Sequence, residues 1–491
     1  MSIGIDKEIL IREFVKAIEN KNAAIFAGAG LSKSAGFVDW KGLLRPVADE
    51  IKLDVEKECD LVAVAQYCIN NRCGNRGFIN QMLIEEFTKK VSVTENHKIL
   101  SKLPIDTYWT TNYDKLIEKV LEENGKTVDV KITQDNLATN KPKRDAIIYK
   151  MHGDVDQIAD AVICKDDYDS YNLKRQLFTT TLQGDLVSKT FLFVGISFDD
   201  PNIDYILSRI KILLGQNKRE HYCIFRKVNE NDNIYANDRD KFIYDQTKQD
   251  LRVKDLQRYS INVVLVDKYA EITGILEQVE RLYRKKIVFI SGSANNYGSW
   301  GEDKALGFVK DLSFKLVAEG NKLVSGYGLG IGSAVITGAL ECIFSSRYRH
   351  LDEHIMLYPF PQTSRTISPE QRKELFSKYR HEMISNAGVA IFVFGNKKLE
   401  DGSEVIADGV LKEFDIAIEH GLNVMPIGAT GFAAEELWKK VNDNFGEFYG
   451  DNDKIKPLFQ KLGNKDATIE ELIESVIKIL HILQQSNVKG V

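Results

Sequence analysis

Four short stretches place small or polar residues where they could bind a nucleotide and act on it. They are GAGLSKSAG (28–36), TTNYD (110–114), MHGD (151–154) and VGISFDDPNI (194–203). Glycines without a Cβ let a pyrophosphate approach the backbone, and a following helix N-terminus offers free N–H groups. A histidine titrates near neutral pH, so His152 could take a proton from an attacking water.

The first three stretches also have purely structural explanations. Gly28 and Gly30 would suit a tight turn, Asn112 and Asp114 would cap a helix, and His152 could be a structural histidine. All four stretches nevertheless follow predicted strands, and ligands of open α/β sheets bind beyond the carboxyl ends of the strands. Together the four therefore predict one ligand site.

The elements that must hold these residues are short apolar strands alternating with helices. In the first half the predicted strands are 22–28, 106–111, 146–151, 189–195, 221–226 and 261–266. This spacing predicts βαβ units and a mostly parallel sheet. Residues 41–100 show helical patterns instead and predict a helical insert.

The order of the four motifs resembles the NAD-binding core of the sirtuins, in the version of their bacterial defence-associated branch. The resemblance covers about the first 280 residues. It implies a Rossmann-type sheet in which His152 is the general base and Asn112 holds the water or ribose near the nicotinamide. The implied NAD contacts are Gly28, Ala29, Gly30, Ser32, Asp114, Gly195 and Ser197.

Two departures from the sirtuin pattern bear on the reaction. Protein-deacylating sirtuins hold zinc on two C-x-x-C pairs, whereas none of the six cysteines here forms such a pair. Their P-D-F-R-like segment is replaced by GFVDWKGLL (36–44). We therefore expect no metal, and hydrolysis of NAD⁺ to ADP-ribose and nicotinamide. An NAD-dependent deacylase and a non-catalytic nucleotide sensor remain the alternatives.

A second α/β series begins near residue 284. Its predicted strands are 286–291, 321–325, 354–360, 389–394 and 423–428, with helices at 304–319 and 409–420. A helix at 272–285 precedes it. We therefore predict two domains, 1–283 and 284–491.

Two glycine-rich turns in the second half predict a phosphate site. SGS (291–293) follows one strand, and SGYGLGIGSAV (325–335) follows the next. Tight strand–helix packing is the alternative explanation. This half resembles the SLOG group of Rossmann-like nucleotide-binding domains, but it lacks the P-G-G-x-G-T-x-x-E turn of related enzymes. Ligand sensing is therefore favoured over catalysis.

A sirtuin-like half joined to a SLOG half resembles the effector family of the Thoeris antiphage system. The resemblance implies a homotetramer that depletes NAD⁺ when a cyclic ADP-ribose isomer, made by a TIR-domain partner protein, binds the SLOG domain. Arg372 would bind its phosphate and Glu404 its ribose, although both are also explained as solvated surface charges. The predicted effector contacts are Ser291, Gly292, Ser293, Tyr327, Gly328, Gly330, Gly332, Arg372 and Glu404.

Net charge and hydropathy argue against a nucleic-acid-binding, a secreted or a membrane-spanning protein. The net charge of −5 speaks against direct nucleic-acid binding. The first 22 residues lack the apolar core of a signal peptide, and no run is long enough to span a bilayer. We therefore expect a cytoplasmic protein without membrane contact.

Overall fold

The computed structural model describes residues 4–215, 219–236, 238–345, 350–360, 368–399 and 401–485. The chain folds as two compact units, Met1–Glu280 and Arg281–Val491.

In its described part, the first unit is a parallel sheet covered by helices. Its strands are β1 (Ala23–Ala27), β2 (Thr107–Thr110), β3 (Val128–Lys131), β4 (Ala146–Lys150), β5 (Thr190–Val194), β6 (His221–Arg226) and β7 (Ile261–Val266). Its helices are α1 (Lys7–Glu19), α2 (Ala29–Lys33), α3 (Trp40–Glu50), α4 (Leu61–Asn71), α5 (Gly77–Phe87), α6 (Glu95–Lys102), α7 (Leu116–Glu123), α8 (Gln134–Leu137), α9 (Lys165–Asp169), α10 (Tyr171–Lys174), α11 (Gln176–Ser188), α12 (Pro201–Leu214), α13 (Arg239–Gln257) and α14 (Ala270–Arg284).

The strand order of this sheet explains where a ligand can bind. The order is β3-β4-β2-β1-β5-β6-β7, and neighbouring strands are parallel. The chain leaves β1 toward β2 and later returns to β1's other side as β5. Such a switch point opens a crevice at the carboxyl ends of the strands. β1 and β5 are buried along their whole length, which is why AAIFA and TFLFV read as continuous apolar runs.

The six strands predicted in the first half are confirmed, and the helical insert is confirmed as α3 to α6. The strand β3 was not predicted from the sequence, because two of the four residues in VDVK are charged. The sheet tolerates them because Nζ of Lys131 lies 2.9 Å from Oδ2 of Asp129, and both side chains are buried.

The second unit is a smaller parallel sheet with a separate hairpin. Its strands are β8 (Ile287–Ser293), β9 (Lys322–Ser325), β10 (Ile355–Leu357), β11 (Val389–Phe394), β12 (Asn396–Lys398), β13 (Glu404–Ile406) and β14 (Asn423–Pro426). Its helices are α15 (Glu302–Ala318), α16 (Gly332–Ser345), α17 (Leu351–His354), α18 (Pro369–Ser385), α19 (Asp408–Glu419), α20 (Phe432–Asp443), α21 (Phe445–Tyr449), α22 (Lys456–Lys461) and α23 (Ile469–Gln485). The sheet order is β10-β9-β8-β11-β14, and β12 pairs with β13 antiparallel.

The five strands predicted for the second half are confirmed, although β10 is shorter than expected. The two predicted helices appear as α15 and α19, each followed by a glycine in the left-handed region, Gly320 at φ +78 and Gly421 at φ +70. The predicted helix at 272–285 is α14, and the division between the two units falls inside it. Among the described helices, none is long and apolar enough to cross a membrane.

Candidate functional site

A cavity of about 270 Å³ opens in the first unit beyond the carboxyl ends of β1, β2, β4 and β5. Seven residues predicted from sequence line it: Gly28, Ala29, Gly30, Asn112, His152, Gly195 and Ser197. Apolar side chains form much of the remaining wall, among them Val38, Trp40, Leu43 and Phe87. We call this cavity the cleft. It combines an apolar wall with a few convergent polar groups, as small-molecule sites do.

The glycines at the cleft are required by contact between two loops. A Cβ on Gly28 would lie 2.4 Å from the carbonyl oxygen of Gly195, and one on Gly195 would lie 2.3 Å from the nitrogen of Leu31. The N–H of Gly30 donates to the Gly195 carbonyl at 2.9 Å. The N–H of Gly30 therefore already has a partner in the β5–α12 loop of this structure.

The orientation of the Asn112 side chain is set by two hydrogen-bond acceptors, the carbonyl of Gly28 and the hydroxyl of Ser32. Its Nδ2 donates to the carbonyl of Gly28 and to Oγ of Ser32, each at 3.0 Å. Because a carbonyl oxygen can only accept, the amide nitrogen must face Gly28. Oδ1 is then the group of Asn112 that a ligand can use, as an acceptor.

His152 lies almost completely buried beside Asp200. Its Nε2 is 3.0 Å from Oδ2 of Asp200. In the described part of the chain, Nε2 is buried and has no hydrogen-bond partner. The contact is therefore electrostatic in this structure, and it would strengthen if the ring became an imidazolium.

Asp200 is a site residue that the sequence prediction missed. Its Oδ1 accepts the N–H groups of Asn202 and Ile203 and caps α12, and its Oδ2 accepts the hydroxyl of Tyr168 at 3.0 Å. Burial by itself raises the pKa of this carboxyl, but His152 and the hydrogen bonds of Ile203 and Tyr168 outweigh burial and lower it. Asp200 is thus a carboxylate. The Asp-Pro pair of VGISFDDPNI signalled the helix start, but nothing local signalled the contact with His152.

Two buried cations anchor the backbone on either side of His152. The guanidinium of Arg175 donates to the carbonyls of Ile132 and Asp160 at 2.7 and 2.8 Å, and to that of Lys150 at 3.4 Å. Nζ of Lys150 donates to Glu118 at 3.0 Å and to Asp154. Burial tends to lower the pKa of Lys150, but these two carboxylates outweigh it and raise the pKa. Both cations therefore tie the loop that carries His152 to neighbouring elements of the first unit.

Two predicted contacts, Ser32 and Asp114, lie behind the cleft rather than on its wall. Ser32 is buried and accepts from Asn112. Oδ1 of Asp114 accepts the N–H of Leu116 at 2.9 Å, and Oδ2 is buried without a hydrogen-bond partner among the described residues. Both support the cleft from behind in this structure.

The GFVDW segment forms one wall of the cleft. The N–H of Val38 donates to Glu86 at 3.1 Å, and the ring of Phe37 packs 5.4 Å from that of Phe87. Oδ1 of Asp39 caps α3, and Oδ2 pairs with Lys33 at 2.6 Å. The segment is thus tied to the helical insert at several points.

A second cavity, of about 730 Å³, adjoins the cleft. The two share Gly30, Gly195, Ile196 and Ser197 as lining residues. We call these four shared residues the glycine ridge. Beyond the glycine ridge, the second cavity is lined by residues such as Asn96, Arg226 and Gln249. A ligand with two halves can therefore lie across the glycine ridge.

In the second unit, the two predicted glycine-rich turns meet. A Cβ on Gly328 would lie 1.9 Å from the Gly292 carbonyl, one on Gly330 1.9 Å from the Ala294 carbonyl, and one on Gly332 2.8 Å from the backbone of Tyr327. Tyr327 itself adopts φ +56 and is exposed. As in the first unit, close backbone approach accounts for these glycines.

The remaining predicted effector residues differ in their surroundings. Oγ of Ser291 donates to Glu413 at 2.6 Å, and Oγ of Ser293 donates to the Asn396 carbonyl at 3.0 Å. Glu404 accepts from Asn296 at 2.8 Å, next to the first turn. Arg372 is exposed in the first turn of α18, and within the described ranges its side chain has no hydrogen bond or ion pair. The structure thus joins Glu404 to the turns but not Arg372.

Within the described residues, no group of three or more His, Cys, Asp or Glu side chains could hold a metal ion. The six cysteines are free.

Comparison with known proteins identifies both halves. Residues 106–244 match the model of the SIR2-like domain, and residues 271–483 match that of the Sir2- and TIR-associating SLOG family. The predicted sirtuin-like and SLOG domains are confirmed.

Similar proteins extend over nearly the whole chain. A protein named NAD(+) hydrolase ThsA from Cytobacillus dafuensis is 47% identical over 99% of this chain and 98% of its own length. Proteins of the same name from Bacillus cereus (strain MSX-D12) and Acinetobacter baumannii (strain 532279) are 48% and 47% identical, each over 97% of this chain and 98% and 99% of their own lengths. The chain therefore belongs to the family of the ThsA NAD(+) hydrolases.

Proposed function

We propose that the first unit hydrolyses NAD⁺ to ADP-ribose and nicotinamide in the cleft. The observation that carries this proposal is that Asn112 and His152 both line the cleft. The accepting Oδ1 of Asn112 is oriented by Gly28 and Ser32, and His152 has the carboxylate of Asp200 beside it. Hydrolysis of NAD⁺ can use both groups, an acceptor that orients water or ribose and a base that takes a proton.

The reaction breaks the bond between C1′ of the ribose and the nicotinamide nitrogen. The electron pair of that bond leaves with nicotinamide. Water then bonds to C1′ and gives up one proton. Asn112 would orient the water or the ribose through Oδ1, and His152 would take the proton as general base. The carboxylate of Asp200 would stabilise the resulting imidazolium, as carboxylates beside catalytic histidines do.

The two adjoining cavities support a dinucleotide as the ligand. The cleft, at about 270 Å³, is slightly smaller than typical ligand pockets, which range over roughly 300–1,000 Å³. We assign the nicotinamide and its ribose to the cleft and the adenosine half to the cavity of about 730 Å³. The pyrophosphate would then cross the ridge of Gly30, Gly195 and Ser197, where the N–H of Ala29 is nearby.

We further propose that residues 284–491 act as a sensor for residues 1–283. A cyclic ADP-ribose isomer, supplied by a TIR-domain partner protein, would bind at the two glycine-rich turns and raise NAD⁺ hydrolysis, depleting the cell of NAD⁺ during phage attack. The predicted contacts are the turns, Arg372 and Glu404. The match to a Sir2- and TIR-associating SLOG family supports the kind of partner. Coupling requires that the ligand bind the active state more tightly than the inactive one.

Nicotinamide release from NAD⁺, with and without cyclic ADP-ribose isomers, tests both proposals. We expect an active isomer to raise the rate of the wild type. Asn112→Asp should lower the stimulated rate by about 100-fold or more, because a carboxylate cannot donate to the Gly28 carbonyl. Asn233→Asp, the same change at an exposed asparagine, should leave the rate unchanged.

Two results would contradict the proposals. Hydrolysis that no isomer stimulates would remove the sensing role. Release of O-acetyl-ADP-ribose from an acetylated peptide and NAD⁺, without free hydrolysis, would favour the deacylase instead.

A further inference from the structure

A buried carboxyl group links the first glycine-rich turn of the second unit to a helix beside it. Oγ of Ser291, at the end of β8, donates to Oε2 of Glu413 on α19 at 2.6 Å. Nε of Arg380 on α18 lies 3.3 Å from Oε1 of the same carboxyl. Three elements are thus joined by one side chain, and neither of the two contacts was predicted from sequence.

Burial makes this carboxyl depend on its partners. Burial raises the pKa of Glu413, while the Ser291 hydrogen bond and the charge of Arg380 oppose the rise. A buried carboxylate is costly unless a cation and hydrogen bonds compensate it. In the described part of the chain, Arg380 is the only cation that forms an ion pair with Glu413. The position of the Arg380 side chain is therefore set by its role in compensating the buried charge of Glu413.

The other side of the Arg380 guanidinium is also fixed, yet two of its nitrogens stay available. The guanidinium carbon lies 4.8 Å from the ring centre of Phe360, a cation–π contact. Nη2 of Arg380 lies next to Gly409, and a Cβ added to Gly409 would be only 3.3 Å from it. Nε is used by Glu413, whereas Nη1 and Nη2 have no hydrogen-bond partner among the described residues. The side chain is 17% exposed, so solvent reaches it.

We infer that Arg380 is an anion-binding residue of the nucleotide site in the second unit, with Glu413 as its positioning residue. The inference rests on the sensing role proposed above and names a residue that binds the phosphate. A planar guanidinium whose Nη1 and Nη2 are free presents a fork that matches two phosphate oxygens. Ser291 belongs to the turn predicted to hold phosphate, and the carboxyl of Glu413 bridges the two residues. The ligand class is a nucleotide with a diphosphate, such as ADP-ribose or its cyclic isomers.

Affinity measurements on the full chain test this assignment. Titration calorimetry gives Kd for ADP-ribose and for the cyclic ADP-ribose isomer that best activates the wild type. We expect Arg380→Met to weaken binding by about 10-fold or more, and Arg380→Lys by about 3-fold, since lysine keeps the charge without the fork. Lys378→Met is the matched control. It removes an exposed positive charge from the same helix and should change Kd by less than about 2-fold.

Activation provides a readout that a purely structural role would not move. In Arg380→Met, the effector concentration for half-maximal nicotinamide release should rise by the same factor as Kd. The rate at saturating effector should stay within about 2-fold of the wild type, because the active state is still reached once the site is filled.

Glu413 is tested by an isosteric change and by a double variant. Glu413→Gln keeps an acceptor for Ser291 but loses the charge that aligns Arg380, so affinity should fall by about 3-fold to 10-fold. The double variant, Arg380→Met with Glu413→Gln, leaves no unpaired buried charge and should fold. It should bind as weakly as Arg380→Met, because the glutamate acts only through the arginine.

The outcomes separate this inference from the sensing role. If the wild type responds to an isomer and Arg380→Met binds and responds equally well, Arg380 is not an anion-binding residue. An equal loss in Lys378→Met would also overturn the assignment, since it would reflect general charge. If the wild type binds neither nucleotide and no isomer stimulates hydrolysis, the sensing role fails and the inference fails with it.

Discussion

At the scale of the residue, one carboxylate serves two structures at once. Oδ1 of Asp200 caps α12, and Oδ2 faces His152 and Tyr168. The histidine and the helix that borders the cleft are therefore positioned by the same side chain. A change at Asp200 should affect the reaction even where the helix survives.

Asp200→Asn separates these two roles. Asparagine is as good a helix cap as aspartate, so we expect the thermal unfolding temperature to stay close to that of the wild type. The negative charge beside His152 is lost, and kcat should fall by about 100-fold because the imidazolium is no longer stabilised. Stimulated nicotinamide release measures the rate.

Asp204→Asn is the control for that change. It removes an exposed carboxylate from the first turn of the same helix and should leave kcat unchanged. A wild-type rate in Asp200→Asn would show that His152 acts without this carboxylate.

At the scale of the element, the cleft depends on how two loops meet. The β1–α2 loop and the β5–α12 loop touch through Gly28, Gly30 and Gly195. Gly195 also has φ +70, a conformation that favours glycine. This contact holds the switch point of the sheet together.

Gly195→Ala should therefore destabilise the first unit strongly. The new Cβ would lie 2.3 Å from the nitrogen of Leu31, so one loop must move. We expect a loss of more than about 3 kcal/mol in the free energy of unfolding, measured by urea denaturation, together with loss of NAD⁺ hydrolysis.

Gly125→Ala is its matched control. Gly125 has φ +75 but nothing within 4 Å of a new Cβ. Gly125→Ala therefore adds only the strain of a left-handed alanine, which should lower the free energy of unfolding by about 1 kcal/mol. Equal losses in the two variants would mean that the loop contact adds nothing.

The helical insert is joined to the segment after His152 by a partly buried ion pair. Nη1 of Arg76, which precedes α5, contacts both oxygens of Asp167 on α9 at 2.7 and 2.8 Å. Oδ2 of Asp167 also accepts the N–H groups of Ile163 and Cys164. Burial acts to raise the pKa of Asp167, but the Cys164 N–H and Arg76 outweigh it, so the pKa is lowered.

This lowered pKa predicts a pH dependence of stability. Because the folded state holds the proton less tightly than the unfolded state, the carboxylate contributes fully above about pH 4, and its contribution is lost as pH falls through the lowered pKa. Asp167→Asn should cost about 2 kcal/mol at pH 7, and this difference from the wild type should shrink between about pH 5 and pH 3. Urea denaturation at several pH values measures it.

Asp169→Asn, at an exposed position of the same helix, should show no such difference at any pH. A gap between Asp167→Asn and the wild type that stayed constant down to pH 3 would exclude the ion pair as its source.

At the scale of the whole molecule, each unit has its own sheet, core and candidate site. The cleft belongs to Met1–Glu280, and the glycine-rich turns belong to Arg281–Val491. Binding at the second unit and chemistry at the first are therefore expected to be separable by mutation.

His152→Ala tests that separation. We expect it to abolish nicotinamide release while the Kd for the activating cyclic ADP-ribose isomer changes by less than about 2-fold, because each site is built within its own unit. Calorimetry on the full chain measures the affinity. Loss of effector binding in this variant would show that the two sites are not independent.

Much of this architecture follows from local properties of the chain. The buried strands β1, β5 and β11 are continuous apolar runs, and left-handed glycines such as Gly320 end helices, so a short window suffices to predict them. The motifs that follow β1, β2, β4 and β5 could likewise be assigned to one sheet edge, because parallel strands end on the same side. The sequence alone thus determined the fold class and the family of the two halves.

Only the tertiary structure decided which side chains meet. Asp200 reaches His152, Gly195 needs the bare backbone of Gly28, and Glu413 bridges Ser291 and Arg380. These partners are far apart in the chain, and no local pattern of hydrophobicity or turn residues encodes their contact. Their proximity results from the strand order of each sheet and from the packing of buried charges, which must find partners once water is excluded.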